Sequence, residues 1–220
     1  MGTRGFIGFV IDGHEKIAYV HADSYPGGVG ASVLSWLRLA AADLGELRRR
    51  VRALRVVDPG TRPGAEDIEA LKEFAFQRVS TGRLDDWYVL LRRTQGRPEL
   101  MLAAGVIEDA RDFPADSLDC EWGYLIDLDA AAFEVYRGFQ RRPHAEGRFA
   151  GRPSPPHHVG AYYPVKRVGR WGLSDLPGED TFLSELTARA ADPPDPPAPD
   201  PGCDPSCGCD RCTHPDGPQP

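Results

Sequence analysis

The chain has 220 residues, 33 acidic against 26 basic, and a formal charge of −7 at pH 7. That length holds one domain with an appendage, or two small domains. The lack of a basic footprint argues against general nucleic-acid binding, and no apolar run approaches the roughly 18 residues of a membrane span.

The charge is unevenly spread. From Asp192 the chain reads DPPDPPAPDPGCDPSCGCDRCTHPDGPQP, which holds 10 of the 21 prolines and no large apolar residue. Six Asp against one Arg give this stretch −5, so the rest of the chain carries only −2. Such a segment buries too little apolar surface to offset its chain entropy. The expectation is one α+β domain over 1–190 and a disordered Pro/Asp-rich tail over 191–220. The opening MGTRGFIGFVIDG lacks the charged-then-apolar order of a signal peptide, and Phe6 stands where a myristoylated Gly2 requires Ser or Thr. A cytoplasmic location is expected.

In chain order, 6–11 is rich in β-branched and aromatic residues, Asp12-Gly13 is a turn signal, and 16–21 alternates polar and apolar. Together they predict a β-hairpin. A glycine-rich turn follows at 23–30. Val33, Trp36, Leu37, Ala40 and Leu44 then recur at helical spacing. Asp43 with Glu46 predicts the cap of a second helix carrying Leu47, Val51 and Leu54. A third helix is expected over 65–76. A fourth begins at Asp85 or Asp86, and a short one lies between Pro98 and Gly105. Residues 120–127 and 133–139 read as a second hairpin across a turn at Asp129. The stretch 162–168 reads as a strand that Pro164 pushes to an edge, and 181–189 as a terminal helix. The order predicts an antiparallel sheet built from two hairpins and an edge strand, with several helices packed on it.

One candidate site lies where the first hairpin ends. His21, Asp23, Ser24 and Tyr25 fall within five positions, just before Gly27, Gly28 and Gly30. A strand running through a glycine-rich turn into a helix exposes side chains, lets backbone approach a ligand, and aims free N–H groups outward. A hydrolase would use Ser24 or a nearby thiol as nucleophile and His21 as base. The plainer reading is turn and cap chemistry. Cys120, with Glu121 beside it, is the single cysteine before the tail. It is either a nucleophile or a small buried hydrophobe. Tyr136 and Arg137 present an aromatic and a guanidinium for a planar ligand, or serve as cross-strand packing. The run Arg48, Arg49, Arg50, Arg52, Arg55 reads as a solvated helix face.

The segments MGTRGFIGFVIDG, HADSYPGGVG, CEWGYLIDLD and FEVYRGFQ resemble a set of small uncharacterised bacterial and phage proteins. The opening also bears a likeness to N-terminal-nucleophile amidohydrolases, whose chains begin with a catalytic Cys, Ser or Thr on a strand. Thr3 is the one candidate here, yet removal of Met1 exposes Gly2, and that chemistry needs the nucleophile's own amine as base.

A second candidate site is in the tail. Cys203, Cys207, Cys209 and Cys212, with His214, place up to five soft ligands close together, enough to wrap one zinc. A reducible, unstructured cysteine tail is the alternative. For function, binding of an unknown small molecule or protein through the 21–30 turn needs the fewest coincidences. A hydrolase or amidohydrolase-type enzyme around His21, Asp23, Ser24 and Cys120 is the alternative.

Overall fold

The computed structural model describes residues 2–153 and 162–190, which belong to one compact unit. The expected tail, with Cys203, Cys207, Cys209, Cys212, His214 and their zinc, lies outside the described residues.

The first hairpin forms as its pattern requires. Strands β1 (Gly5–Ile11) and β2 (His14–Val20) pair antiparallel, and the match of Ile11 with His14 leaves a two-residue turn. Asp12 and Gly13 both take positive φ, 52° and 75°, the geometry that the twist of a hairpin favours. The Asp129 carboxylate accepts from both turn N–H groups, at 2.9 and 2.8 Å. The tip of the first hairpin is thereby tied to the loop of the second. Lys16 donates to the carbonyls of Val51 and Leu54 at the end of a helix, where a cation is favoured.

The second hairpin is β5 (Trp122–Asp127) with β6 (Ala132–Arg137). An edge strand, β7 (Lys166–Gly172), completes a five-stranded sheet in the order β2-β1-β5-β6-β7. Strand β7 starts beyond Pro164, four residues later than expected, because proline offers no N–H to the ladder. The sheet also departs from the expected all-antiparallel pattern. Strands β1 and β5 run parallel, Gly5 opposite Trp122 through Val10 opposite Asp127. The long helical connection between the hairpins permits this, since parallel neighbours need a crossover.

Every residue of β1 and β5 is buried, as both faces of the sheet are covered. On one face Ile7, Phe9, Tyr124, Ile126 and Phe133 meet helices α1 (Ala31–Ala40), α2 (Leu44–Ala53), α5 (Pro98–Ala104) and α6 (Glu179–Ala190). The apolar stripe of α1, Val33, Leu34 and Leu37, is the spacing read from sequence. Helix α2 opens as expected, with Asp43 accepting the Glu46 N–H at 2.9 Å. On the other face Phe6, Ile17, Leu125 and Tyr136 pack under Phe149 and Val165.

A third apolar cluster, including Val57, Leu71, Trp87 and Val106, holds two elements that the sequence pattern does not reveal. Strands β3 (Arg55–Val57) and β4 (Val106–Glu108) pair parallel beside α3 (Ala65–Leu71) and α4 (Trp87–Leu90). Three residues are too few to display a period. The 65–76 helix is shorter than expected, ending at Leu71 and tightening into a 3₁₀ turn over Lys72–Phe74. Among the described residues no helix is long and apolar enough to cross a membrane.

Candidate ligand-binding cleft

The topology gathers distant residues at one end of the sheet. Gly5 faces Val20 on one side and Trp122 on the other, and Trp122 faces Arg137. The start of β1, the end of β2 and the start of β5 therefore share an edge. His21–Tyr25 and Cys120–Glu121 come to the same end of the sheet although they lie far apart in sequence. Backbone bonds join them: Ser24 N–H to the Thr3 carbonyl at 3.1 Å, and Glu121 N–H to the Arg4 carbonyl at 3.0 Å.

Proximity does not produce a nucleophile–base pair. Ser24 is 1 % exposed, and among the described residues its hydroxyl has no hydrogen-bond partner. It sits against Gly5, where an added Cβ would lie 2.8 Å from Ser24 Oγ. The side chain thus faces the sheet. Cys120 is fully buried and its thiol reaches only the Trp122 carbonyl, at 3.8 Å. Burial, with the charges of Asp116, Glu121 and Asp119, pushes that thiol well above its ordinary range, so it stays protonated. Glu121 accepts the Arg4 N–H at 3.2 Å.

His21 finds a different partner. Its Nδ1 lies 3.3 Å from the Tyr19 hydroxyl, and its ring meets Tyr19 and Tyr88 edge-on. Burial, then the cationic Arg92 and Arg4, lowers the His21 pKa, so the ring is neutral at pH 7. Burial raises the pKa of Tyr19, with a further push from Tyr88. The phenol therefore keeps its proton, which makes it the natural donor and leaves Nε2–H on the imidazole.

The glycine-rich turn is not the open anion cradle that the sequence suggests. The N–H groups of Gly28 and Gly30 bond the Tyr25 carbonyl at 2.9 and 3.4 Å, and that of Val29 bonds the Asp23 carbonyl at 2.8 Å. These three donors are spent inside the turn. Two of the glycines have packing reasons. A Cβ on Gly28 would stand 2.4 Å from the Asp23 carbonyl oxygen, and one on Gly30 would stand 2.6 Å from the Tyr124 hydroxyl. Tyr124 itself donates to the Ser24 carbonyl at 2.7 Å and props the turn from below. Only Gly27 opens outward, with nothing nearer than 3.9 Å to an added Cβ.

What the turn does build is a cleft of about 930 Å³. His21, Asp23, Tyr25 and Gly27 form one wall, Ser32 and Trp36 of α1 a second, and Arg92, Gln95 and Arg97 a third. Tyr25 is 46 % exposed, so its ring is available to a ligand. An adjoining cleft of about 610 Å³ shares Arg92, Gln95 and Arg97 and adds Arg93, Phe74 and Phe76. Neither cleft is lined by Tyr136 or Arg137. Tyr136 is buried between Phe6 and Phe149 and donates to Glu134 at 2.6 Å. Arg137 stacks over Trp122 with its guanidinium 4.8 Å from the ring centre.

The third wall was not singled out from sequence. One signal was there: Arg92, Arg93 and Arg97 have no acid three or four positions away, the spacing at which a helix neutralises charge. Behind that wall, Glu108 shares a small cavity of about 20 Å³ with Tyr19, Thr94 and Gln95. Burial, reinforced by the Asp86 charge, raises the Glu108 pKa to about 7. A raised carboxyl pKa means the folded state holds its proton more tightly. Its contribution to stability therefore falls as pH rises from about 4.5 to about 7 and stays lost above. Glu108→Gln should accordingly be more stable than the parent at pH 8, by about 2 kcal/mol after discounting for solvent. The gap should close below about pH 4.5. Urea melts at several pH values check this, and a variant less stable at pH 8 would contradict it.

Among the described residues no group of three or more His, Cys, Asp or Glu is placed to hold a metal. Comparison with protein-family models, curated proteins and solved structures finds no match.

Proposed function

We propose that this protein is a binding module for a small molecule held between the 21–30 turn and the Arg92–Arg97 segment. One observation carries the reading. The cleft is lined by polar donors and acceptors, with His21, Asp23, Ser32, Arg92, Gln95 and Arg97 among them, beside the exposed Tyr25 ring, whereas the two candidate nucleophiles, Ser24 and Cys120, are buried and do not line it. The cleft is concave but mainly polar, so it suits a polar small ligand better than an apolar one. A cleft of about 930 Å³ lies within the size range of small-ligand sites.

Gly27 supplies the test, because it tolerates a side chain and lines the cleft. A mixed panel of sugars, amino acids, sugar phosphates and carboxylic acids is screened against the full chain by ligand-observed NMR. Gly27→Trp should abolish binding of the hits while moving the melting temperature by no more than a degree or two, as an open surface position allows. Hits that bind the variant equally well would place the ligand elsewhere.

A second reading is favoured by the Tyr19–His21 contact at the cleft wall. A neutral imidazole held by a phenol suits general acid–base chemistry, so the hydrolase alternative stays with His21 and Asp23, using a water or a ligand group in place of Ser24 or Cys120. The tail set Cys203, Cys207, Cys209, Cys212 and His214 is a separate proposal, for zinc, and rests on ligand chemistry alone.

A further inference from the structure

We infer that the ligand carries a phosphate or carboxylate head received by Arg92, Arg93 and Arg97, and a body bearing hydroxyl or amine groups. This rests on the binding reading above and specifies the chemistry of its site.

Arg92, Arg93 and Arg97 line one groove together. Arg38, Arg50, Arg78 and Arg142 also lack a carboxylate partner among the described residues, so convergence on the groove, not pairing alone, sets the three apart. Elsewhere in the described chain an arginine commonly meets a carboxylate. Arg49 pairs with Glu46, Arg52 with Asp12, Arg83 with Asp85, and Arg167 with Glu134. In the arginine run of α2, Arg49 and Arg52 meet those acids and Arg48 turns onto the Leu128 carbonyl at 2.9 Å. Arg92, by contrast, reaches among the described residues only Gln95 Oε1, at 2.5 Å, and the face of Tyr88. Among the described residues, Arg93 and Arg97 have neither a carboxylate nor a carbonyl partner. Three guanidiniums on one groove, none paired with a carboxylate among the described residues, repel one another, and an anion relieves that cost.

The charge is graded along the two clefts. The smaller one holds all three arginines against a single acid, Glu73. The larger holds Arg92 and Arg97 against Asp23, Glu99 and Glu179. An anionic head therefore fits the smaller cleft. Carboxylates and the hydroxyls of Ser32 and Ser35 in the larger accept from, or bond to, hydroxyl or amine groups of the body. Gln95 borders both clefts and holds Arg92 toward their junction.

The probes are inorganic phosphate and citrate, which separate the two head chemistries, with glucose 6-phosphate and glucose as a bipolar compound and its uncharged control. Titration calorimetry is run on the full chain at low salt. Phosphate or citrate should bind, glucose 6-phosphate should bind more tightly than phosphate, and glucose should not register. Arg93→Gln with Arg97→Gln should weaken binding by at least about tenfold, as charge-assisted bonds to an anion are lost. Both side chains lack partners, so this double variant should fold, and its melting curve checks that it does. Arg78→Gln with Arg142→Gln, two other exposed arginines, is the control for net charge and should change little. Failure of both anions to bind, or equal binding by the double variant, overturns the inference. Hits that Gly27→Trp loses but the double variant keeps overturn the arginine assignment alone. Phosphate binding that Gly27→Trp keeps is expected, since the head sits in the smaller cleft. Glucose 6-phosphate binding that Gly27→Trp keeps undiminished and the double variant loses supports the arginines and counts against the binding-module reading.

Discussion

Gly28→Ala should destabilise the protein by about 2–4 kcal/mol and destroy the cleft with it, because overpacking and a broken buried backbone bond act together. Gly28 has φ −101° and ψ −105°, outside the helical range of the residues that follow. Its added Cβ would stand 2.4 Å from the Asp23 carbonyl oxygen and 3.0 Å from the Tyr25 ring. The ring can swing away, but the carbonyl cannot. It is backbone, it accepts the Val29 N–H, and the neighbouring Ser24 carbonyl is fixed by Tyr124. Relief requires the turn to open, which separates His21 and Tyr25 from α1. Gly27→Ala, one position earlier, meets no atom within 3.9 Å and should fall within about 0.5 kcal/mol of the parent. Urea denaturation of the pair decides the matter. Equal stabilities would mean that the turn is not held as described.

Arg148→Ala should cost more, about 3–5 kcal/mol, the usual penalty for breaking a buried ion network from one side. Arg148 lies over the second face of the sheet. It bonds Asp127, approaches Glu134 at 3.4 Å, and lies 3.9 Å from Glu15. Asp127 is 5 % exposed and Glu134 3 %. Burial works against the Arg148 charge, but the bond to Asp127 and the charges of Glu134 and Asp127 outweigh it, so its pKa is raised and it remains a cation. Without it Glu134 keeps Arg167, at 3.2 Å, and Arg170, at 3.4 Å. Among the described residues, Asp127 keeps only the N–H groups of Asp129 and Ala130. The loss should fall on the segment that brings Phe149 onto Phe6 and Tyr136, not on the cleft. A variant that loses less than about 1 kcal/mol would show the network to be no stronger than a surface ion pair.

Local signals were legible in the sequence. The Asp12-Gly13 turn, the Asp43 cap, and the bracket of Pro98 with Gly105 each act within a few residues, and each formed as read. Pairing between the hairpins was not legible. Alternation fixes which face a side chain takes, but not the direction of the neighbouring strand. The parallel contact of β1 with β5 depends on the whole intervening connection. The site was legible in half. His21, Asp23, Tyr25 and Gly27 do line the cleft, since a strand end leading into a turn exposes them. Ser24 was misplaced for a physical reason: its orientation is set by Gly5, which lacks a Cβ and leaves room for the hydroxyl to turn inward. Arg92 and Arg97 come from a distant segment whose approach depends on β4 lying against the first hairpin.

Chemical-shift mapping on the full chain tests the cleft most directly. With glucose 6-phosphate or any hit from the metabolite panel, the largest amide shifts should fall on residues 21–35 and 92–99. Gly27→Trp should erase them. Shifts confined to the second face, around residues 109–119 and Arg148, or spread evenly over the surface, would contradict a ligand site between the turn and the arginines.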